Sequence, residues 1–171
     1  MPPSNQRPTI ELATRADLDA LTDLWVDLAH DQRRYQSAVR PEANREAMRE
    51  TLGAYLVSDG LFVARLEGAI VGFVSVTVER GTLELDTTRG LLSNIYVRPA
   101  YRGQGIGTAL LEAAEASLAD RGVDELLLEV MADNEAARRF YRRHGYDPFR
   151  VSMTRSLADR DENDTHSKED G

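Results

Sequence analysis

The glycine-rich run between residues 102 and 107 has the composition of an anion-binding loop. It follows an apolar segment, Leu91–Val97, precedes a stretch with helical spacing of apolar residues, and reads Arg102-Gly103-Gln104-Gly105-Ile106-Gly107. Glycines at alternate positions let the backbone turn tightly, and the first turn of a helix leaves N–H groups without an intrahelical acceptor. Such N–H groups bind phosphate without help from side chains. The pattern therefore predicts a strand, a pyrophosphate-binding loop and a helix in succession.

Two common nucleotide-binding motifs do not fit this loop. A dinucleotide fingerprint needs a third glycine three residues after the second, and Thr108 occupies that position. A P-loop ends in Gly-Lys-Ser/Thr, but the single lysine of the chain is Lys168, far downstream. A nucleotide-binding or nucleotide-hydrolysing domain is therefore disfavoured.

A third pattern, Arg/Gln-x-x-Gly-x-Gly/Ala, does fit the loop, and a second motif follows it downstream. The first pattern lies within Ile95–Leu111. The second motif, Asn134–Tyr146, reads Asn-x-x-Ala-x-x-Phe-Tyr-x-x-x-Gly-Tyr and follows an apolar segment, Glu125–Val130. In this order the two motifs resemble those of the GNAT superfamily of acyl-CoA-dependent N-acyltransferases. The resemblance covers residues 10–156, and residues 91–146 carry its diagnostic part.

This resemblance implies an α/β fold with a mixed, mostly antiparallel sheet, a central splay between two strands, and helices on both faces. The splay is expected between Leu91–Val97 and Glu125–Val130, where strand backbone would hold the pantetheine arm of acetyl-CoA. Asn134 is expected at a helix N-cap, which is compatible with a contact to the same arm. The residues that the resemblance assigns to acetyl-CoA are Ile95, Tyr96, Val97, Arg102, Gly103, Gln104, Gly105, Ile106, Gly107, Thr108, Asn134, Ala137 and Tyr141.

The implied reaction is transfer of the acetyl group from acetyl-CoA to a primary amine of a small molecule or protein, by direct attack in a ternary complex. Tyr141 is the predicted general acid, because a tyrosine with a pKa of about 10 is protonated at neutral pH and can donate to the departing thiolate. The alternative for Tyr141 is a packed ring whose hydroxyl bonds the cofactor sulfur without transferring a proton.

The general base departs from the family pattern. Many members have a glutamate on the strand before the glycine loop, whereas this chain has Ser93-Asn94 there. The substitutes that remain open are Glu129 on the neighbouring strand, Glu84 or Asp86 upstream, and an ordered chain of water molecules.

Selection of the amine is expected to fall to residues 30–41 and 79–90. Four acids there could form an acidic opening for a cationic amine, a polyamine or a peptide N-terminus, or they could be a solvated acidic surface. These acids are Asp31, Glu79, Glu84 and Asp86.

The length of the chain favours one domain, and its charge is concentrated in the tail. The 171 residues predict a single N-acetyltransferase domain over residues 9–156, preceded by a flexible segment, 1–8, and followed by a disordered acidic tail, 157–171. Six acids and two basic residues give the tail a charge of −4, half of the net −8. This surplus of acid argues against a nucleic-acid partner. Monomer and homodimer both remain open.

Composition also limits the compartment in which the protein is expected and the catalytic groups that it can use. No apolar run approaches the ~20 residues of a membrane span, and the first residues lack a secretory signal, so a cytoplasmic protein without membrane attachment is expected. The chain has no cysteine, which excludes disulfides and a thiolate nucleophile. Its three histidines lack metal-ligand spacing, so no metal is expected.

Apolar periodicity and turn residues predict the order of the elements. The predicted strands are Ile10–Ala13, Leu61–Leu66, Ala69–Val78, Leu91–Val97 and Glu125–Val130, with Leu83–Asp86 extending the meander and Arg150–Ser156 closing the sheet. The predicted helices are Leu18–Leu28, Pro41–Leu56, Ile106–Leu118 and Glu135–His144. Two functions stay open at this point: an N-acetyltransferase, and a catalytically silent module that binds acyl-CoA.

Overall fold

The computed structural model describes residues 6–81 and 83–158. The chain divides into two compact units, the first ending at Glu135 and the second beginning at Ala136. The remainder of the predicted flexible N-terminal segment (1–5) and of the predicted acidic tail (159–171) lies outside the described residues. The helices and strands, in chain order, are β1 (Thr9–Leu12), α1 (Leu18–Gln32), α2 (Arg45–Val57), β2 (Leu61–Leu66), β3 (Ala69–Val78), β4 (Arg89–Val97), α3 (Ile106–Asp120), β5 (Glu125–Leu128) and α4 (Glu135–Arg143).

The first unit contains a five-stranded sheet in the order β1-β2-β3-β4-β5. The first four strands pair antiparallel, whereas β5 pairs parallel with β4. A parallel pair needs a crossover connection, and α3 supplies it. The prediction of a mixed, mostly antiparallel sheet is therefore confirmed, and the hairpin of β2 and β3 has the predicted bounds.

Helices α1 and α2 cover one face of this sheet. Their apolar residues pack against strand residues that alternate toward them, so that Leu21 and Leu52 are fully buried together with Phe73 of β3 and Tyr96 of β4. Phe73 and Tyr96 lie opposite each other in the β3–β4 register. This cluster fixes the face of β4 to which Tyr96 belongs, because neighbouring side chains along a strand point to opposite faces.

Helix α3 covers the other face and packs close to the strands at two glycines. A β-carbon on Gly72 would lie 2.7 Å from the Tyr96 carbonyl oxygen and 3.2 Å from Leu110 of α3. A β-carbon on Gly90 would lie 2.7 Å from Leu118 of the same helix. Helices therefore cover both faces, as the sequence predicted.

A charged cluster anchors the start of α1 to the sheet. Arg65 of β2 donates to both carboxylate oxygens of the buried Asp17, at 3.1 and 2.8 Å. The backbone N–H of Thr14 donates to the same carboxylate at 2.8 Å. The hydrogen bonds from Arg65 are the main reason why the pKa of Asp17 lies below its usual range.

Five predicted strand segments differ in the structure, among them β1, which covers Thr9–Leu12 rather than Ile10–Ala13, and β4, which begins at Arg89 rather than at Leu91. β5 ends at Leu128 rather than at Val130, and residues 83–86 form no strand. The predicted closing strand over 150–156 is also wrong, since these residues have no regular structure although Val151 and Met153 alternate as in a strand. Their side chains are 82% and 93% exposed, so the alternation lacks the sheet neighbour that would turn it into a ladder. No helix among the described residues is long and apolar enough to cross a membrane.

Candidate active site

Strand β4 changes its pairing halfway along its length. Residues Arg89–Leu92, here called the closed half, pair with β5, and all of them except Arg89 also pair with β3. The last pair with β5 joins Leu92 to Leu128. Residues Ser93–Val97, the open half, continue along β3 alone. β4 and β5 therefore separate after this pair, at the place where the sequence predicted a splay.

A β-bulge marks the change from the closed half to the open half. Ser75 of β3 lies opposite Asn94 and Val76 lies opposite Leu92, so Ser93 has no opposite residue on β3. Ser93 also has no partner on β5, because the β4–β5 ladder ends one residue earlier. Bulges bend a strand and re-aim its side chains, and this bulge lies at the point where β4 and β5 separate.

The separation opens a cleft of about 340 Å³, here called the β4–β5 cleft. Its lining residues are Leu91, Leu92, Ser93, Leu127, Leu128 and Glu129. Ser93 and Glu129 each follow the last β4–β5 pair, one on each strand, and both are exposed. The cleft therefore has an apolar floor and one polar side chain on each wall.

Hydroxyl and amide groups meet at the bulge. The Ser93 Oγ and the Tyr55 hydroxyl of α2 lie 2.6 Å apart in a hydrogen bond. The next residue, Asn94, donates its side-chain N–H to the Oγ of the buried Ser75 at 2.9 Å. The two bulge side chains thus have separate partners, and Ser93 alone of them lines the cleft.

The backbone of the open half faces the separation at alternate residues. The N–H of Arg98 donates to Val71 at 2.8 Å, so this residue is oriented toward β3. Because orientation alternates along an antiparallel strand, the N–H and C=O groups of Ile95 and Val97 face away from β3. They lie on the side where a further extended chain could pair.

The glycine loop has the backbone conformation that its composition predicts. Gly103 and Gly105 have φ values of +76° and +82°, in the left-handed region that strains other residues. Gly105 is the N-cap of α3, and the first helical hydrogen bond runs from the Ala109 N–H to the Gly105 carbonyl at 3.1 Å. The N–H groups of Ile106 and Gly107 therefore have no acceptor within the helix, which fits binding of a phosphate.

Arg102 is held at the side of this loop. Its Nε donates to the Val97 carbonyl at 2.8 Å, and its Nη2 donates to Asp31 at the end of α1 at 3.1 Å. The guanidinium also lies 5.4 Å from the centre of the Tyr96 ring. Burial is the main cause that raises the pKa of Tyr96, with Asp31 and Asp27 adding to it. The Tyr96 side chain belongs to the core beside α1, and by the same alternation its backbone faces β3 rather than the separation.

The carboxylates named from the sequence have different surroundings. Glu129 lies in the β4–β5 cleft, whereas Glu84 and Asp86 are exposed in the connection before β4. Asp31 pairs with Arg34 and with Arg102. One carboxylate oxygen of Glu79 is buried without a hydrogen-bond partner. Among the residues that the structure describes, no three histidines or acids are grouped as metal ligands.

In the second unit, the predicted acid Tyr141 is buried, with 8% of its surface exposed. Its ring contacts Phe140 and Tyr146 edge to face, at centroid distances of 5.4 and 5.8 Å. Burial raises the pKa of Tyr141 to about 12, so the hydroxyl keeps its proton throughout the neutral range. Ala137 lies in the first turn of α4, and Asn134 directly precedes that helix.

Sequence reasoning missed Tyr55 and the bridge from Gln36 to Asp133. The Tyr55–Ser93 contact joins residues 38 apart, and the Gln36 amide donates to Asp133 at 2.7 Å across 97 residues. Each contact depends on how distant elements pack, and no local pattern in the chain signals it. Gln36 also has a positive φ of 72°, a conformation that its residue type does not predict.

The model of the acetyltransferase (GNAT) family matches residues 25–146, and the chain belongs to this family. N-alpha-acetyltransferase 30 of Schizosaccharomyces pombe is 40% identical over 87 residues, which are 50% of this chain and 55% of that protein. An N-alpha-acetyltransferase of Sulfurisphaera tokodaii is 31% identical over 121 residues, 63% of this chain and 72% of that protein. The crystal structure of a GCN5-related N-acetyltransferase from Ralstonia eutropha has a TM-score of 0.71 and 25% identity, covering 88% of this chain and 99% of that one. The chain spans 55% of the length of the first of these relatives, and the family to which it belongs consists of acetyltransferases that use acetyl-CoA.

Proposed function

We propose that the chain transfers the acetyl group of acetyl-CoA to a primary amine that enters the β4–β5 cleft. The observation that carries this proposal is the separation of β4 from β5 after the Leu92–Leu128 pair. The open half of β4 runs from that separation through a short 3-10 helix, Pro99–Tyr101, into the glycine loop. An extended thioester arm and its pyrophosphate can therefore follow one continuous stretch of chain.

The residues of this stretch fit acetyl-CoA. The outward backbone groups of Ile95 and Val97 would pair with the pantetheine arm as a neighbouring strand would. The loop from Gly103 to Thr108 would hold the pyrophosphate through backbone N–H groups at the start of α3. Arg102 bonds the Val97 carbonyl and Asp31 and is about half exposed, so it can add charge-assisted bonds to the same phosphates.

Two side chains would move the protons of the reaction. As the amine nitrogen forms its bond to the acetyl carbon and the C–S bond breaks, Glu129 accepts the proton from nitrogen. Tyr141 donates a proton to the departing sulfur, since its hydroxyl is protonated at neutral pH. Proton transfer by a positioned group contributes about 10²–10⁴-fold in rate. Ala137 and Asn134 would contact the cofactor, as the family motif implies.

We further propose the α-amine of a peptide or protein as the first acceptor to test. Both relatives named above are N-alpha-acetyltransferases, and the family model matches a region that includes β4 and the glycine loop. The cleft is open to solvent at Glu129, which suits an acceptor that projects out of the protein. The lack of cysteine suits a reducing compartment, so we keep the cytoplasm as the proposed site of action.

The test is to incubate the protein with acetyl-CoA and a panel of amines, and to follow both release of CoA and the mass of each amine. The panel contains peptides with free N-termini, spermidine, free lysine and an aminoglycoside. An acetylated product that is lost in Tyr141→Phe supports the proposal. Tight binding of acetyl-CoA without any acetylated amine would instead favour a catalytically silent acyl-CoA-binding module.

A further inference from the structure

We infer that the Ser93 hydroxyl orients the acceptor amine for attack, and that Tyr55 is a positioning residue that holds Ser93 in place. This inference rests on the proposed function, because it concerns the same cleft. Neither residue has an assigned role in the family motifs quoted above. The pair lies where β4 changes from its closed half to its open half, at the entrance of the β4–β5 cleft.

A primary amine needs two acceptors to be oriented for attack. In its neutral form it has two N–H donors and one lone pair, and the lone pair must point at the acetyl carbon. The N–H groups must then donate to acceptors on the protein. Ser93 and Glu129 offer an oxygen from opposite walls of the cleft, at equivalent positions after the last strand pair. One N–H donated to each would fix the direction of the lone pair.

The hydroxyl of Ser93 has an acceptor site left for this purpose. A hydroxyl has one donor and two acceptor lone pairs. The 2.6 Å bond to Tyr55 uses one of these functions, and Asn94 bonds Ser75 rather than Ser93. When the Tyr55 hydroxyl donates, Ser93 retains a lone pair that can accept from the amine.

Tyr55 is itself held rigidly, which a positioning residue requires. Its ring packs against the core formed by α1, α2 and the sheet. Its carbonyl accepts from the Ser58 Oγ at 3.1 Å and from the Gly60 N–H at 2.9 Å. Arg121 at the end of α3 donates to the carbonyls of Ser58 and Asp59, at 3.1 and 2.8 Å. These hydrogen bonds fix the end of α2, the part of the helix that carries Tyr55.

Steady-state kinetics on the amine that the wild-type chain acetylates fastest in the panel test this inference. Ser93→Ala is expected to lower kcat/KM for that amine about three- to tenfold, the effect of one neutral hydrogen bond. Ser93→Thr keeps the hydroxyl and is expected to restore most of the loss. The dissociation constant for acetyl-CoA is expected to stay within about twofold in both variants.

A secondary amine separates orientation from a general structural effect. The N-methyl derivative of the same amine has a single N–H and can satisfy only one of the two acceptors. We expect the preference of the wild type for the primary over the N-methyl amine to fall about three- to tenfold in Ser93→Ala. An unchanged preference would overturn the inference even if the overall rate fell.

Tyr55→Phe keeps the packed ring and removes only the hydroxyl. It is expected to reproduce part of the Ser93→Ala loss, and the double variant is expected to lose no more than Ser93→Ala alone. Thr51→Ala is the matched control, because its hydroxyl lies one turn earlier on α2 and bonds only the Ala47 carbonyl of its own helix. Fully additive losses, or an equal loss in Thr51→Ala, would contradict the role given to Tyr55.

The two proposals fail in different ways. If the wild type acetylates no amine in the panel, the proposed function fails and this inference fails with it. If the wild type is active and Ser93→Ala has the same kcat/KM, only the inference fails.

Discussion

The closed half and the open half of β4 belong to one strand but differ in what surrounds their backbone. In the closed half, residues 90–92 pair with strands on both sides, and Gly90 lets α3 approach closely. In the open half, residues 94–97 pair with β3 alone, and Ser93 is the unpaired residue of the bulge. Stability should therefore depend mainly on the closed half, and binding and chemistry should depend mainly on the open half and on the residues facing it.

The largest expected effect on the reaction comes from Glu129, the acid that follows β5. Glu129→Gln is expected to lower kcat/KM by about 10²–10⁴-fold and to remove the acid limb of the pH–rate profile, because the amide cannot accept a proton. Glu125→Gln is the matched control on the same strand. Glu125 pairs with Arg89 beside the closed half and should affect stability alone. A Glu129→Gln variant with the wild-type profile would leave Glu84, Asp86 or an ordered chain of water molecules as the base.

The proton on Tyr141 gives a test at alkaline pH. Because burial raises the pKa in the folded state to about 12, the folded chain binds this proton more tightly than the unfolded chain, whose tyrosine has a pKa of about 10. The free energy of unfolding should keep its full value below pH ~10 and should fall by up to about 3 kcal/mol as the pH rises toward ~12. Urea unfolding at a series of pH values should show this decline. A decline of the same size in Tyr141→Phe would assign it to other groups.

Gly90 tests whether the closed half carries stability without carrying chemistry. In Gly90→Val the new side chain would meet Leu118 and Leu126, and we expect a loss of about 1–3 kcal/mol in the free energy of unfolding. The turnover of the folded fraction should stay unchanged, as measured by kcat normalised to acetyl-CoA binding. Ser93→Ala should show the reverse, with unfolding unchanged and activity reduced. Equal effects on both properties in both variants would abolish the distinction between the halves.

The smallest expected effect lies away from β4, at the Asp17–Arg65 contact. The depressed pKa of Asp17 means that its stabilisation is present above pH ~4 and is lost as the pH falls through the lower pKa of the folded state. Asp17→Asn should cost about 1–2 kcal/mol at neutral pH and should flatten this acid dependence in thermal unfolding. Asp19→Asn, in an exposed pair with Arg49, should change stability by less than about 0.5 kcal/mol. Similar losses of stability in both variants would show that the buried Asp17–Arg65 pair stabilises the fold no more than an exposed ion pair does.

Local rules explain which parts of the fold and the candidate site could be predicted. The hairpin of β2 and β3 was predicted to the residue, because its alternating apolar residues flank a turn at Glu67-Gly68. The start of α3 followed from glycines whose positive φ values the structure shows. The same rule gave a wrong prediction for residues 150–156. Alternation indicates which residues share a face, but it does not indicate whether a neighbouring strand is present.

The sequence by itself determined the family, the order of the elements and the anion-binding loop, since these depend on residues within a turn or two of one another. The tertiary structure decided where β4 leaves β5, because strand register depends on packing across the sheet. It also decided that Ser93 meets Tyr55 and that Arg102 meets Asp31. These contacts join residues that are distant in the chain, and their partners are set by the way α1 and α2 pack on the sheet.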